Sequence, residues 1–149
     1  MLHQNTSQPQ FYQKFMGLNS SQKLPIFQKV YKIVRLKSSI LIIKKFYPVC
    51  LEKFLNVFIK DRELHKQFLR TLTLALQNLY TFLQLYQIDH ENLKPSNCFL
   101  KINNSESDKN TLQIVISDPY LDYHLNEPLS DSEAIGNMMH QIICGRLPI

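Results

Sequence analysis

Glycine is scarce in this chain: three residues among 149, at positions 17, 136 and 145. That is few for a chain with several turns. It excludes a G-x-G-x-x-G loop, whose backbone amides would cradle phosphates. No uninterrupted apolar run approaches the roughly 20 residues that a membrane-spanning helix needs. The opening residues, Met1-Leu2-His3-Gln4-Asn5-Thr6, lack the charged and apolar regions of a secretory leader. Cysteine is limited to Cys50, Cys98 and Cys144, odd in number, widely spaced and in apolar surroundings. They read as reduced core thiols, and no Cys/His pairing is close enough for a metal site. These absences together predict an intracellular, cytoplasmic protein.

What is present is enough for a folded core. Hydrophobic residues make up 44% of the chain, which excludes global disorder and fits one domain or part of one. Charge is uneven. Residues 1–70 hold thirteen Lys/Arg against three Asp/Glu, a net +10, whereas residues 71–149 hold four against nine, a net −5. A basic half of this kind suits either an anionic partner or a merely solvated face. Aromatic and basic residues do not interleave as in RNA- or DNA-binding modules, so a nucleic-acid partner is not indicated.

Periodicity supplies the elements. From Arg62 to Leu85, the residues Phe68, Leu72, Ala75, Leu76, Leu79, Phe82 and Leu83 recur at helical spacing, predicting a long amphipathic helix. Ile40-Leu41-Ile42-Ile43 is a β-branched run. Its hairpin partner is Val30 to Leu36, with Lys37-Ser38-Ser39 as the turn, and a short helix follows from Cys50 to Val57. Thr111 to Ser117 is a second apolar strand, forming a hairpin over roughly 98–118. Residues 103–110 are expected to be its polar, mobile turn. A terminal helix is expected over roughly 131–144. These elements alone describe a generic α+β domain.

The segment His90-Glu91-Asn92-Leu93-Lys94-Pro95-Ser96-Asn97-Cys98-Phe99-Leu100 narrows that reading. It resembles the catalytic loop of eukaryotic protein kinases, H-R-D-L-K-P-x-N followed by an apolar strand. Asp118-Pro119-Tyr120 stands where that family carries D-F-G. Ser130 to Gly136 resembles the S-D-x-W-S-x-G start of a core helix, and Gly145 to Ile149 resembles a G-x-x-P-F ending. The order of these motifs matches the family's. The resemblance implies a partial kinase-like α+β fold, mainly C-lobe with a short hinge and N-lobe remnant. Residues 1–24 would be a polar, helical N-terminal segment, and residues 25–149 the truncated kinase-like domain.

The same resemblance argues against kinase chemistry. Asn92 holds the position of the catalytic carboxylate, and an amide cannot accept the substrate's proton. Ile40 to Ile43 resembles the family's hinge strand; before it no V-A-I-K-like segment places a lysine, and residues 1–24 hold no glutamate to pair with one. Thirteen positions separate Asp118 from Asp131, too few for an activation loop, an A-P-E motif and a docking loop. Asn126-Glu127-Pro128 has the wrong order for A-P-E. Pro119 in place of Phe breaks an aromatic stack, and the helices expected after the G-x-x-P-F turn do not follow.

Residue by residue, the resemblance implies no catalytic group, with Asn92 and Lys94 at the catalytic-loop positions. Lys94 and Phe99 are the candidates for contact with ATP, and Asn97 and Asp118 for magnesium; no cofactor is expected. His90 and Asp131 are structural, the Asp131 carboxylate accepting hydrogen bonds from loop amides. Met138, Met139, Ile142 and Ile143 would form an apolar face packing on helices this chain does not encode, for a partner protein or a second copy to cover. Three functional readings stay open. They are a pseudokinase acting by protein–protein contact, an atypical kinase or nucleotide-binding protein, and an incomplete or degenerate gene product.

Overall fold

In the computed structural model, residues 26–105, 108–118 and 129–145 are described. Among them lie three α-helices and two small antiparallel sheets, an α+β arrangement. The sequence expectations for residues 1–24, Pro119, residues 126–128 and residues 146–149 fall outside the described residues.

The first hairpin pairs β1 (Val30–Arg35) with β2 (Ile40–Lys44). Both strands are rich in β-branched residues, which suit a pleated, half-buried surface. The predicted turn closes where the Leu36 N–H donates to the Ser39 carbonyl at 2.8 Å. Val34 then faces Leu41 and Arg35 faces Ile40.

Helix α1 (Leu51–Phe58) buries Leu51, Leu55 and Phe58, one stripe at spacings of four and three. Helix α2 (Arg62–Leu85) is the backbone of the molecule. Asp61 caps it, its carboxylate accepting from the Glu63 and Leu64 amides at 3.1 and 3.0 Å. A cap of this kind stabilises a helix by about 1 kcal/mol. Leu72, Ala75, Leu76, Leu79 and Leu83 form its buried stripe. Each large side chain contributes roughly 1.5–3 kcal/mol on leaving water, before its lost entropy.

The second hairpin pairs β3 (Cys98–Ser105) with β4 (Asp108–Ile116). Its ladder runs from Cys98 opposite Ile116 out to Ser105 opposite Asp108. Within the segment expected as an open turn, residues 103–105 and 108–110 are strand, and residues 106–107 lie outside the described residues. Backbone ladder bonds depend little on side-chain polarity, and that is why composition misled here. Two further connections fix this hairpin. Ile26 and Gln28 bracket Ile116 with backbone bonds of 2.7 and 2.8 Å, and the Leu100 N–H donates to the Val49 carbonyl at 2.9 Å.

Helix α3 (Asp131–Cys144) begins with a capping box, in which Ser130 and Glu133 satisfy each other's backbone amides. It ends at Gly145, whose φ of 72° is a left-handed conformation that favours glycine. Ala134, Ile135, Met138 and Ile142 are buried, against the expectation that Met138 and Ile142 await a partner. Helix α3 packs on α2, and the His65 imidazole of α2 hydrogen-bonds the Ile142 carbonyl at 2.8 Å. The chain's own long helix thus covers that face. Met139 is partly buried and packs against the same core, and of the four residues only Ile143, 53% exposed, stands out in solvent. Cysteine burial also divides: Cys98 is buried, with its thiol pKa pushed up to about 12 by desolvation, but Cys144 is exposed.

Candidate functional site

The site is the loop between α2 and β3, together with the end of β4 and the start of α3. Ile88 turns the chain inward, its N–H donating to the Leu83 carbonyl at 2.9 Å. His90 follows, fully buried and stacked on Phe27 at a ring separation of 6.3 Å. Its Nε2 lies 2.9 Å from the Ser117 carbonyl, which can only accept, so Nε2 carries the proton. Its Nδ1 accepts the Asn92 backbone N–H at 3.2 Å. Both nitrogens are thus used by the neutral ring. Burial lowers the imidazole pKa to about 4, outweighing the Ser117 carbonyl and the Asp118 charge, which act the other way.

Asp131, in the first turn of α3, holds the loop from the other side. One carboxylate oxygen accepts the His90 N–H at 2.6 Å, the other the Glu91 N–H at 2.9 Å. Burial raises the pKa of this carboxyl above the usual range, the two amides oppose that rise, and the nearby Asp89 charge adds to it. Glu91 has a φ of 62°, a left-handed backbone that two-point anchoring helps to hold.

The next ring of contacts joins Asn92, Asn97 and Asp118. The Asn92 side-chain amide donates to the Asp118 backbone carbonyl at 2.8 Å, and the Asn92 carbonyl accepts from the Asn97 side chain at 3.0 Å. Asn97 ends a 3-10 turn, Pro95–Asn97, its N–H bonded to the Lys94 carbonyl at 2.9 Å. The Asn97 carbonyl in turn accepts the Ser117 N–H at 2.9 Å. Asp118 has a φ of 51°. One of its carboxylate oxygens accepts from the Ser117 hydroxyl at 3.2 Å, and the other forms an ion pair with the Lys44 ammonium.

Lys44 is the residue that sequence reasoning missed. No strand lysine was expected near the site, yet β2 ends with its ammonium on Asp118. The Lys44 side chain is 19% exposed and that of Asp118 48%. Asp118 is therefore not an isolated carboxylate facing solvent. The only signal in the sequence is a lysine terminating an apolar strand, which says nothing of a partner 74 residues away.

Of the residues expected at the site, His90, Asn92, Asn97, Asp118 and Asp131 come together through these bonds. Lys94 precedes the 3-10 turn. Phe99 lies in β3 opposite Val115, its ring tilted against Tyr47 at 6.2 Å.

Asn92 has no basic pair and its amide is committed to Asp118. His90 is neutral and sealed from solvent, and Asp131 is bound to the loop it anchors. A magnesium ion takes oxygen ligands at about 2.1 Å in a near-octahedral shell. Here a cation already sits on Asp118, and Asn97 turns its amide nitrogen toward Asn92. Among the described residues no group of three or more His, Cys, Asp or Glu could hold a metal. In this arrangement both magnesium candidates are engaged otherwise, Asp118 with the Lys44 ammonium and the Asn97 side-chain N–H₂ with the Asn92 carbonyl.

Among the described residues no helix is long and apolar enough to cross a membrane. No protein-family model matches the chain, and no curated protein matches it.

Proposed function

We propose that this chain is a catalytically silent, protein kinase-like module that acts through protein–protein contact. The observation that carries the reading is the state of Asn92. It stands where the resembled loop has its proton acceptor, and its amide is spent as a donor to the Asp118 carbonyl at 2.8 Å. Proton acceptance from a substrate hydroxyl requires a basic atom at that place, and an amide has none. The ion pair of Asp118 with Lys44 supports the same reading, because it neutralises the carboxylate that would otherwise draw a metal ion. The His90–Asp131 network supports a kinase-like origin, since it serves to fix the loop rather than to react.

The test is a thermal melt of the full chain with and without Mg·ATP. A ligand that binds only the folded state must raise the midpoint; at one hundred times its Kd the gain is about 2.7 kcal/mol. An unchanged midpoint is expected.

One observation favours a second reading, a nucleotide-binding protein of atypical design. Lys44 supplies a strand cation beside Asp118, and a phosphate could compete for that ammonium. A raised midpoint in Mg·ATP that Lys44→Met abolishes would select this reading over the first.

A further inference from the structure

A groove of about 500 Å³ is lined by the β2–α1 connection together with residues of α1, α2, β3 and β4, and none of the residues of the Asn92–Asp118 contacts lines it. Its rim and walls include Phe46, Val49, Phe68 and Ile102, and the charged residues among its lining are Lys45 and Lys101. Phe46 is 81% exposed and Ile102 63%. Leaving a phenyl ring and a β-branched chain of one groove in water forgoes the stabilisation of burying either. An exposed aromatic ring at the mouth of an apolar groove is a candidate anchor point for a partner side chain.

The groove is also held in shape. The Lys45 N–H donates to the Lys29 carbonyl at 2.7 Å, and the Val49 carbonyl accepts from Leu100 at 2.9 Å. Phe46 therefore projects from a connection tied at both ends. The Lys45 ammonium rests 5.5 Å from the centre of the Tyr47 ring, which keeps it at the rim. A preformed groove loses less entropy on binding than a floppy one.

We infer that this groove docks a short segment of another protein in which bulky apolar residues alternate with Asp or Glu. The assignment rests on the reading of the chain as an interaction module, and it names that module's surface and its partner's chemistry. Charge decides the occupant. Both ionised lining residues are cations and none is an acid, so carboxylates on the partner meet lysines while its apolar side chains fill the floor. An isologous contact with a second copy would bring Lys45 and Lys101 against their own kind. A nucleic-acid strand needs a track of cations along its phosphates, and two lysines beside a wider apolar floor do not form one.

The experiment is fluorescence polarisation on the full chain. The probe is a fluorescein-labelled peptide of about twelve residues, alternating Phe or Leu with Glu or Asp, a length suited to groove recognition. Controls replace its acids by lysine, or use a labelled oligothymidylate. The acidic peptide should bind, more weakly as salt rises, and the lysine peptide should not. Phe46→Ser should weaken binding by about tenfold or more, as loss of an exposed aromatic anchor does. Lys45→Glu with Lys101→Glu should do the same; Lys45 is exposed and Lys101 half-buried, and a thermal melt of the double variant checks that the fold is retained.

Absence of acidic-peptide binding, or binding that survives both variants, overturns the groove assignment. So does preferential binding of the oligonucleotide, or a dimer in sedimentation that Phe46→Ser dissolves. Phosphate transfer from Mg·ATP in a separate assay would instead overturn the module reading on which the assignment rests.

Discussion

The Asp131 carboxylate and the His90 backbone amide meet at 2.6 Å, joining the first turn of α3 to the loop that leaves α2. With the second bond to Glu91, this pair fixes the loop's course while contributing no exposed chemistry. Replacing Asp131 by Ala strands the part-buried His90 donor, at roughly 1–3 kcal/mol, while water can reach the Glu91 amide. Asp131→Asn retains an acceptor oxygen and should lose less. Asp118→Ala removes a partly exposed ion pair and should lose about 1 kcal/mol or less. Urea denaturation of the three variants measures the order. Equal, small losses for all three would sink the anchoring role.

Protonation gives an independent reading of the same loop. His90 has a folded pKa of about 4, below its ordinary 6.5. The unfolded chain therefore binds the proton more readily. The stability contributed by the neutral ring is fully present above pH 6.5 and is lost as pH falls toward 4. The span corresponds to about 3 kcal/mol, from 1.36 kcal/mol for each pKa unit. Protonated Nδ1 would also confront the Asn92 N–H that it now accepts. Urea midpoints between pH 7 and 4 should fall along this profile, and His90→Gln should flatten it. A flat profile for the unaltered chain would contradict a buried neutral His90.

Much of this was legible in the sequence, for physical reasons specific to each element. The 3.6-residue stripe from Leu72 to Leu83 needs only one buried face to declare a helix, and α2 has one. The start of α3 is expected only from the resemblance of Ser130 to Gly136 to a helix-start motif; the Ser130–Glu133 capping box, though local chemistry, is a feature the structure adds. Other features are not local. The stripe on α3 shows which face is apolar but not what covers it, so the sequence alone points Met138 and Ile142 at a partner, whereas in the fold both are buried where α3 packs on α2. The pairing of Lys44 with Asp118 depends on how one hairpin docks beside another, and no spacing encodes that.

The packing of α3 yields a third prediction. Ile142→Ala should destabilise the chain by roughly 2–5 kcal/mol, the usual loss for emptying a core position. Ile143→Ala, next in the chain but 53% exposed, should change stability by about 0.5 kcal/mol or less. Thermal or urea unfolding at several protein concentrations checks both values. A small effect at Ile142, or an Ile143 effect that grows with protein concentration, would return this helix face to the role of an interface.

The last prediction concerns placing a carboxylate at position 92. Asn92→Asp would put a carboxylate where the motif has one, yet the surroundings of Asn92 are built for an amide. Its side-chain N–H₂ donates to the Asp118 carbonyl at 2.8 Å. An ionised Asp at that place has no proton to give, so two acceptor oxygens would face each other across a part-buried contact. The loss should be roughly 1–3 kcal/mol. Nor would the new carboxylate meet a poised substrate, because phosphoryl transfer depends on positioning and on charge stabilisation. Lys44 neutralises the Asp118 carboxylate that would contribute to both. The expected result is no phosphate transfer from radiolabelled ATP to generic acceptor proteins, by the chain as it stands or by Asn92→Asp. Turnover by the unmodified chain that Asp118→Ala abolishes would replace the silent-module reading with that of an atypical kinase.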